Sequence, residues 1–155
     1  MKRIEQMGWL RRGAAATAAA VLLVGSGFSA DAPNDGAPAK LKIEILKTPD
    51  PSVKPGTDVT GEIKGKVSGL PSLKGYQVVV YSKGGQTWYV QPDTKKPLIK
   101  IDDDGEFSAD IYGGTEYGAL LVKDSYQPKA TLDQLPVVGG GVIARDRKKP
   151  EKPVK

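Results

Sequence analysis

Between Lys40 and Arg145 the chain is a succession of short β-prone runs cut by turn residues, with no helical period in that stretch. This constrains the fold more than any single motif. Leu41, Ile43 and Ile45 alternate with polar neighbours, the period of a strand with one buried face. Pro49, Pro51 and Pro55 then break the pattern, because proline removes a ladder donor. In Val59–Leu70 the apolar Val59, Ile63 and Val67 punctuate polar residues while Gly61, Gly65 and Gly69 recur every four. Glycines oppose a helix by about 1 kcal/mol each, so a strand with a bulge or bend is expected there. Tyr76–Tyr81 is the most β-prone run, and Gly84-Gly85 signals a hairpin returning through Thr87–Val90. Leu98–Ile101 and Phe107–Tyr112 flank Asp102-Asp103-Asp104-Gly105, a turn whose Gly takes positive φ and whose Asp side chains cap the backbone. Ala119–Val122 and Gly139–Ala144 complete the set. Seven or eight short strands over about 105 residues predict an all-β sandwich or small barrel.

The first 30 residues have a different character. Lys2, Arg3, Arg11 and Arg12 precede an uncharged stretch, residues 13–28, that is followed by Ser29, Ala30 and Ala32. This is the order of a secretory signal peptide, helical across its apolar region, with cleavage expected between Ser29 and Ala32. The stretch falls short of the ~20 strongly apolar residues of a membrane span. Arg11-Arg12 is also compatible with twin-arginine export, although a basic leader alone accounts for the pair. Residues 31–39, rich in Pro, Gly, Asp and Asn, read as a flexible linker. The organisation expected is therefore 1–30 signal peptide, 31–39 linker, 40–145 β domain and 146–155 disordered charged tail, with the mature protein secreted, periplasmic or in the cell envelope.

The net charge of +5 divides unevenly. Residues 31–144 hold 13 basic and 15 acidic residues, so the basicity lies in the two ends and does not mark a nucleic-acid partner. The chain has no Cys and no His. That excludes disulfides, thiolate or imidazole metal sites, a cysteine nucleophile and any catalytic machinery that needs a histidine base. No cofactor, metal or catalytic residue is expected.

From Gly61 to Asp124 the order of residues carries a resemblance. Gly65, Val67, Gly69 and Leu70 open it, followed by Tyr76–Tyr81, Trp88–Pro92, the Ile101/Asp104-Gly105/Phe107 hairpin, Gly113-Gly114 and the Tyr117–Val122 run. This resembles the β-sandwich accessory modules that stand beside catalytic domains in secreted bacterial polysaccharide-degrading enzymes. It is similar also to transthyretin-like or carboxypeptidase-regulatory domains. The resemblance implies an Ig-like or fibronectin-like antiparallel sandwich with no catalytic site, and makes a polysaccharide the first partner to consider and an envelope protein the second. Those modules more often carry two Trp where this chain has Trp88-Tyr89.

Trp88 and Tyr89 are adjacent, so on a strand one faces the core and the other faces out. If the outward one joins Tyr81 or Tyr76, a flat platform for a sugar ring results. If Trp88 is the central core aromatic, Tyr89 is left as a flank. Trp88, Tyr89 and Tyr81 are thus the candidate ligand-binding residues. The acidic group Asp102–Asp104, Glu106 and Asp110 lacks the spacing of a calcium loop and reads as a solvated hairpin. The expected function is a secreted, non-catalytic binding or accessory module for a glycan; the alternative is a structural or protein-interaction domain of the cell envelope.

Overall fold

The computed structural model describes residues 40–151; the expected signal peptide and linker, and residues 152–155 of the tail, lie outside the described residues. Nine strands follow one another: β1 (Lys42–Lys47), β2 (Thr60–Ser68), β3 (Tyr76–Gly84), β4 (Thr87–Gln91), β5 (Leu98–Ile99), β6 (Glu106–Tyr112), β7 (Tyr117–Lys123), β8 (Thr131–Leu132) and β9 (Val142–Lys148). Every pairing is antiparallel. One sheet has the order β1-β2-β6, the other β8-β4-β3-β7-β9 with β5 also on β3. Among the described residues there is no helix, so none is long and apolar enough to cross a membrane.

In the three-stranded sheet the alternation read in the sequence is the alternation of burial. Ile43 and Ile45, Ile63 and Val67, and Phe107 and Ile111 point inward. Gly65 lies on the same inward face, and the Phe107 ring occupies the space a side chain there would need. The irregularity expected near these glycines is carried by the partner strand, as a register shift between Ile45 and Lys47 opposite Gly65 and Lys64. The outward face carries the ion pairs Lys42–Glu44, Lys47–Glu62, Lys64–Glu62 and Lys66–Glu106, at 2.7, 2.9, 3.0 and 3.7 Å.

The six-stranded sheet is apolar on both faces at its centre, which is why β3 and β7 read as unbroken apolar runs. Val78, Val80, Ile99, Tyr117, Ala119 and Leu121 form one core with the inward residues of the other sheet. Val79, Tyr81, Trp88, Val90, Leu120 and Val122 form a second cluster on the opposite face with Leu135 and Val142. The cover is the segment between β7 and β9. Leu135 seats on Gly118, where an added Cβ would collide with it. Tyr81 Oη donates to the Lys129 carbonyl at 3.1 Å, and Arg145 Nη1 reaches the Pro136 carbonyl at 3.2 Å.

Two boundaries differ from expectation. β8 is a two-residue strand against Trp88 and Tyr89 that no sequence run announces, which makes nine strands rather than seven or eight. The last strand is Val142–Lys148, not Gly139–Ala144, so residues 146–148, expected in a disordered tail, belong to the sheet. Gly139, Gly140 and Gly141 all have positive φ and form the turn before the strand. The charges of 145–148 disguise the strand in sequence because each has a structural use: Asp146 accepts the Ile45 amide at 2.8 Å, Arg147 holds Glu116 at 2.7 Å, and Lys148 donates to the Leu46 carbonyl at 3.0 Å. The bonds of Asp146 and Lys148 tie β9 to β1, and that of Arg147 ties it to the residue just before β7. At the start of β7, the buried Tyr117 hydroxyl accepts the Gly114 amide at 2.9 Å.

Candidate functional site

The β3–β4 hairpin decides where the three candidate aromatics go. Across it Tyr81 pairs with Val90, Ser82 with Tyr89 and Lys83 with Trp88. Side chains alternate, so Tyr81, Lys83, Trp88 and Val90 share one face, while Ser82, Tyr89 and Gln91 share the other. The first face is the one covered by the segment between β7 and β9. Trp88 is 3% exposed and Tyr81 is fully buried, so of the two arrangements open to the sequence Trp88 takes the core one and no platform of these rings forms. Lys83 Nζ and Arg147 Cζ lie over the Trp88 ring, 5.6 and 5.5 Å from its centre, a cation–π arrangement that further occupies it. Burial also pushes the Tyr81 phenol well above its ordinary pKa, with the nearby Tyr126 adding to the effect. Of the candidates only Tyr89, 46% exposed, is open to a ligand.

Tyr89 stands in a cleft of about 630 Å³, within the range of small-molecule sites. The floor is polar and ordered. Gln91 is buried; its Nε2 donates to Ser82 Oγ at 2.9 Å, and its Oε1 accepts the Tyr112 amide at 3.1 Å. One side-chain amide thus ties β4 to β3 and to the end of β6, joining the two sheets beneath the cleft. Gly113 follows, packed so closely on the Val53–Lys54 backbone that no Cβ fits, and this brings Pro55 and Gly56 to the rim. Gly84 leaves room for the Tyr89 ring, whose Cε2 would lie 3.2 Å from an added Cβ. On the other side stand Pro92, Asp93 and Thr94. The Asp93 carboxylate accepts the Lys95 amide at 3.0 Å and the Thr94 hydroxyl at 3.3 Å; the Lys95 amide above all holds it below the usual carboxylate range.

The residue that sequence reasoning missed is Tyr112, which lines the same cleft and is 43% exposed. The signal existed: with Phe107 and Ile111 inward, Tyr112 faces away from the core, and Gly113-Gly114 ends its strand. What was not legible is that β6 ends beside β4. A second hollow, about 530 Å³, is made by Lys129, Thr131, Leu132, Asp133 and Gln134, one stretch of chain with no aromatic.

The acidic hairpin is a turn. Gly105 has φ of 86° and donates to the Asp102 carbonyl at 2.8 Å, and Asp104 accepts the Glu106 amide at 3.0 Å. Among the described residues no group of three potential ligands could hold a metal ion. No protein-family model, curated protein or solved structure matches the chain.

Proposed function

We propose that the chain is a non-catalytic binding or accessory module of the Ig-like or fibronectin-like kind, working outside the cytoplasm and binding a glycan in the cleft beside Tyr89. The strand order supports the architecture: with the two-residue β5 and β8 set aside, β1-β2-β6 facing β4-β3-β7-β9 is a three-on-four division of antiparallel strands, and Tyr117 is placed like the tyrosine corner of such domains, hydroxyl bonded to a backbone amide just upstream. The observation that carries the function is the cleft, where a half-exposed tyrosine stands over an ordered floor of side-chain amide and hydroxyl, the mix of apolar wall and few fixed polar groups that small ligands use. Glycoside hydrolysis calls for a pair of carboxyl groups across the bond, and the lining supplies Asp93 alone. Export rests on the leader sequence.

The test is a polysaccharide pull-down or glycan array with the wild-type chain and Tyr89→Ala. Binding that is lost in the variant is the expected result, and binding unchanged by it would remove the site. The alternative, a protein-interaction domain of the envelope, has the exposed Val137 and Val138 in its favour. It predicts a specific cross-linked protein partner whose capture is abolished by Val137→Ser with Val138→Ser and indifferent to Tyr89→Ala.

A further inference from the structure

Tyr89 and Tyr112 are the two large aromatics that stand exposed among the described residues, and both line one cleft, although they come from different sheets and lie far apart in sequence. Each offers an apolar ring face together with a hydroxyl. Behind them Ser82 is buried, and in the described hydrogen bonds its Oγ only accepts, from Gln91 Nε2, which leaves its own proton to donate to a ligand oxygen. The charge of the lining is one-sided. It contains no Lys or Arg, and its single ionised group is Asp93, held as the anion by the Lys95 amide and the Thr94 hydroxyl.

We infer that the ligand of this cleft is a neutral oligosaccharide gripped by both Tyr89 and Tyr112, and that Asp93 turns away acidic glycans. This rests on the proposed glycan-binding function and adds the ligand class and the second tyrosine. A sugar ring with no ionised substituent presents C–H faces to the tyrosines and hydroxyls to Ser82 and Asp93, whose carboxylate can accept from them. A uronate or sulfated sugar would instead bring a second negative charge beside Asp93; the cation whose charge reaches Asp93, Lys95, lies outside the lining, and no Lys or Arg lines the cleft itself.

The experiment is calorimetric titration of the chain with neutral cello-, xylo- and manno-oligosaccharides and with acidic oligogalacturonate, for the wild type, Tyr89→Ala, Tyr112→Ala, Tyr112→Phe and Asp93→Lys. The expected result is binding of a neutral series, weakened about tenfold or more by either tyrosine-to-alanine change and much less by Tyr112→Phe. Oligogalacturonate should bind only after Asp93→Lys. Acidic oligomers that bind the wild type as well as neutral ones, and lose affinity in Tyr89→Ala, would overturn the ligand class while leaving a glycan site in place. Full affinity in Tyr112→Ala alongside loss in Tyr89→Ala would overturn the two-tyrosine grip. Absence of binding to every neutral and acidic oligomer would overturn the glycan reading itself, and this inference with it.

Discussion

The outer face of the three-stranded sheet meets solvent with Lys42, Glu44, Glu62, Lys64, Lys66 and Glu106, paired in ion bridges; that of the six-stranded sheet carries Val79, Tyr81, Trp88, Leu120 and Val122, all buried because the segment between β7 and β9 lies across them. A strand that alternates needs one core, and a strand apolar throughout needs two. The second core is assembled from few pieces: Leu135 on Gly118, Leu132 and Tyr126 beside it, and two hydrogen bonds to backbone carbonyls from Tyr81 and Arg145. Its presence takes Trp88 and Tyr81 out of play as ligand-binding residues and leaves Tyr89, one residue along, as the aromatic that faces a cleft.

The largest effect is expected at Trp88. If it is a core aromatic, Trp88→Ala should destabilise the fold by about 3–5 kcal/mol in denaturant unfolding. An exposed platform residue would give almost no change. Next is the cover itself: Leu135→Ala should cost about 2–5 kcal/mol and raise amide exchange along β7 and β9 while sparing β1 and β2. Equal acceleration in both sheets would mean the cover and the shared core are one unit.

Tyr81→Phe sharpens the picture more gently. Loss of the bond to the Lys129 carbonyl should lower stability near neutral pH by about 0.5–1.5 kcal/mol. It should also change the alkaline limb. Burial raises the Tyr81, Tyr117 and Tyr126 phenols in the folded state. The unfolded chain therefore releases these protons first, near pH ~10, and stability falls as pH rises beyond that point. The fall should be shallower in Tyr81→Phe, as followed by urea midpoints between neutral pH and the alkaline range. The smallest effect belongs to the bare face: Glu106→Gln, which removes the exposed 3.7 Å pair with Lys66, should shift stability by no more than about 0.5 kcal/mol.

Much of the architecture was legible because the residues carry the period of their environment. The alternation of Leu41–Ile45 and Phe107–Tyr112, the β-branched run before Tyr81 and the glycine turns at 85 and 105 all became strands and hairpins where expected. β9 was less legible, since Arg145, Asp146, Arg147 and Lys148 look like a solvated tail until their partners at Pro136, on β1 and at Glu116 just before β7 are in place. Of the three candidate site residues only Tyr89 is exposed. Adjacency on a strand told that Trp88 and Tyr89 face opposite ways, but which one is buried depends on a loop in which Leu132 and Leu135 pack on the sheet while the neighbouring Val137 and Val138 stay exposed, a choice no period in the sequence announces. Tyr112 needed the register that sets the end of β6 beside Gln91.

The proposed function has ligand meeting the Tyr89–Tyr112 cleft and not the Trp88 face. Its most direct test is a 1H–15N chemical-shift titration of the chain with the neutral oligosaccharide series. Shifts confined to the amides of Ser82, Tyr89, Gln91 and Asp93 and of Tyr112 and Gly113, with the Trp88 indole N–H unmoved, are the result predicted. A ligand that shifts the Trp88 indole and the Lys129–Leu135 amides while leaving Tyr89 and Tyr112 unchanged would contradict it.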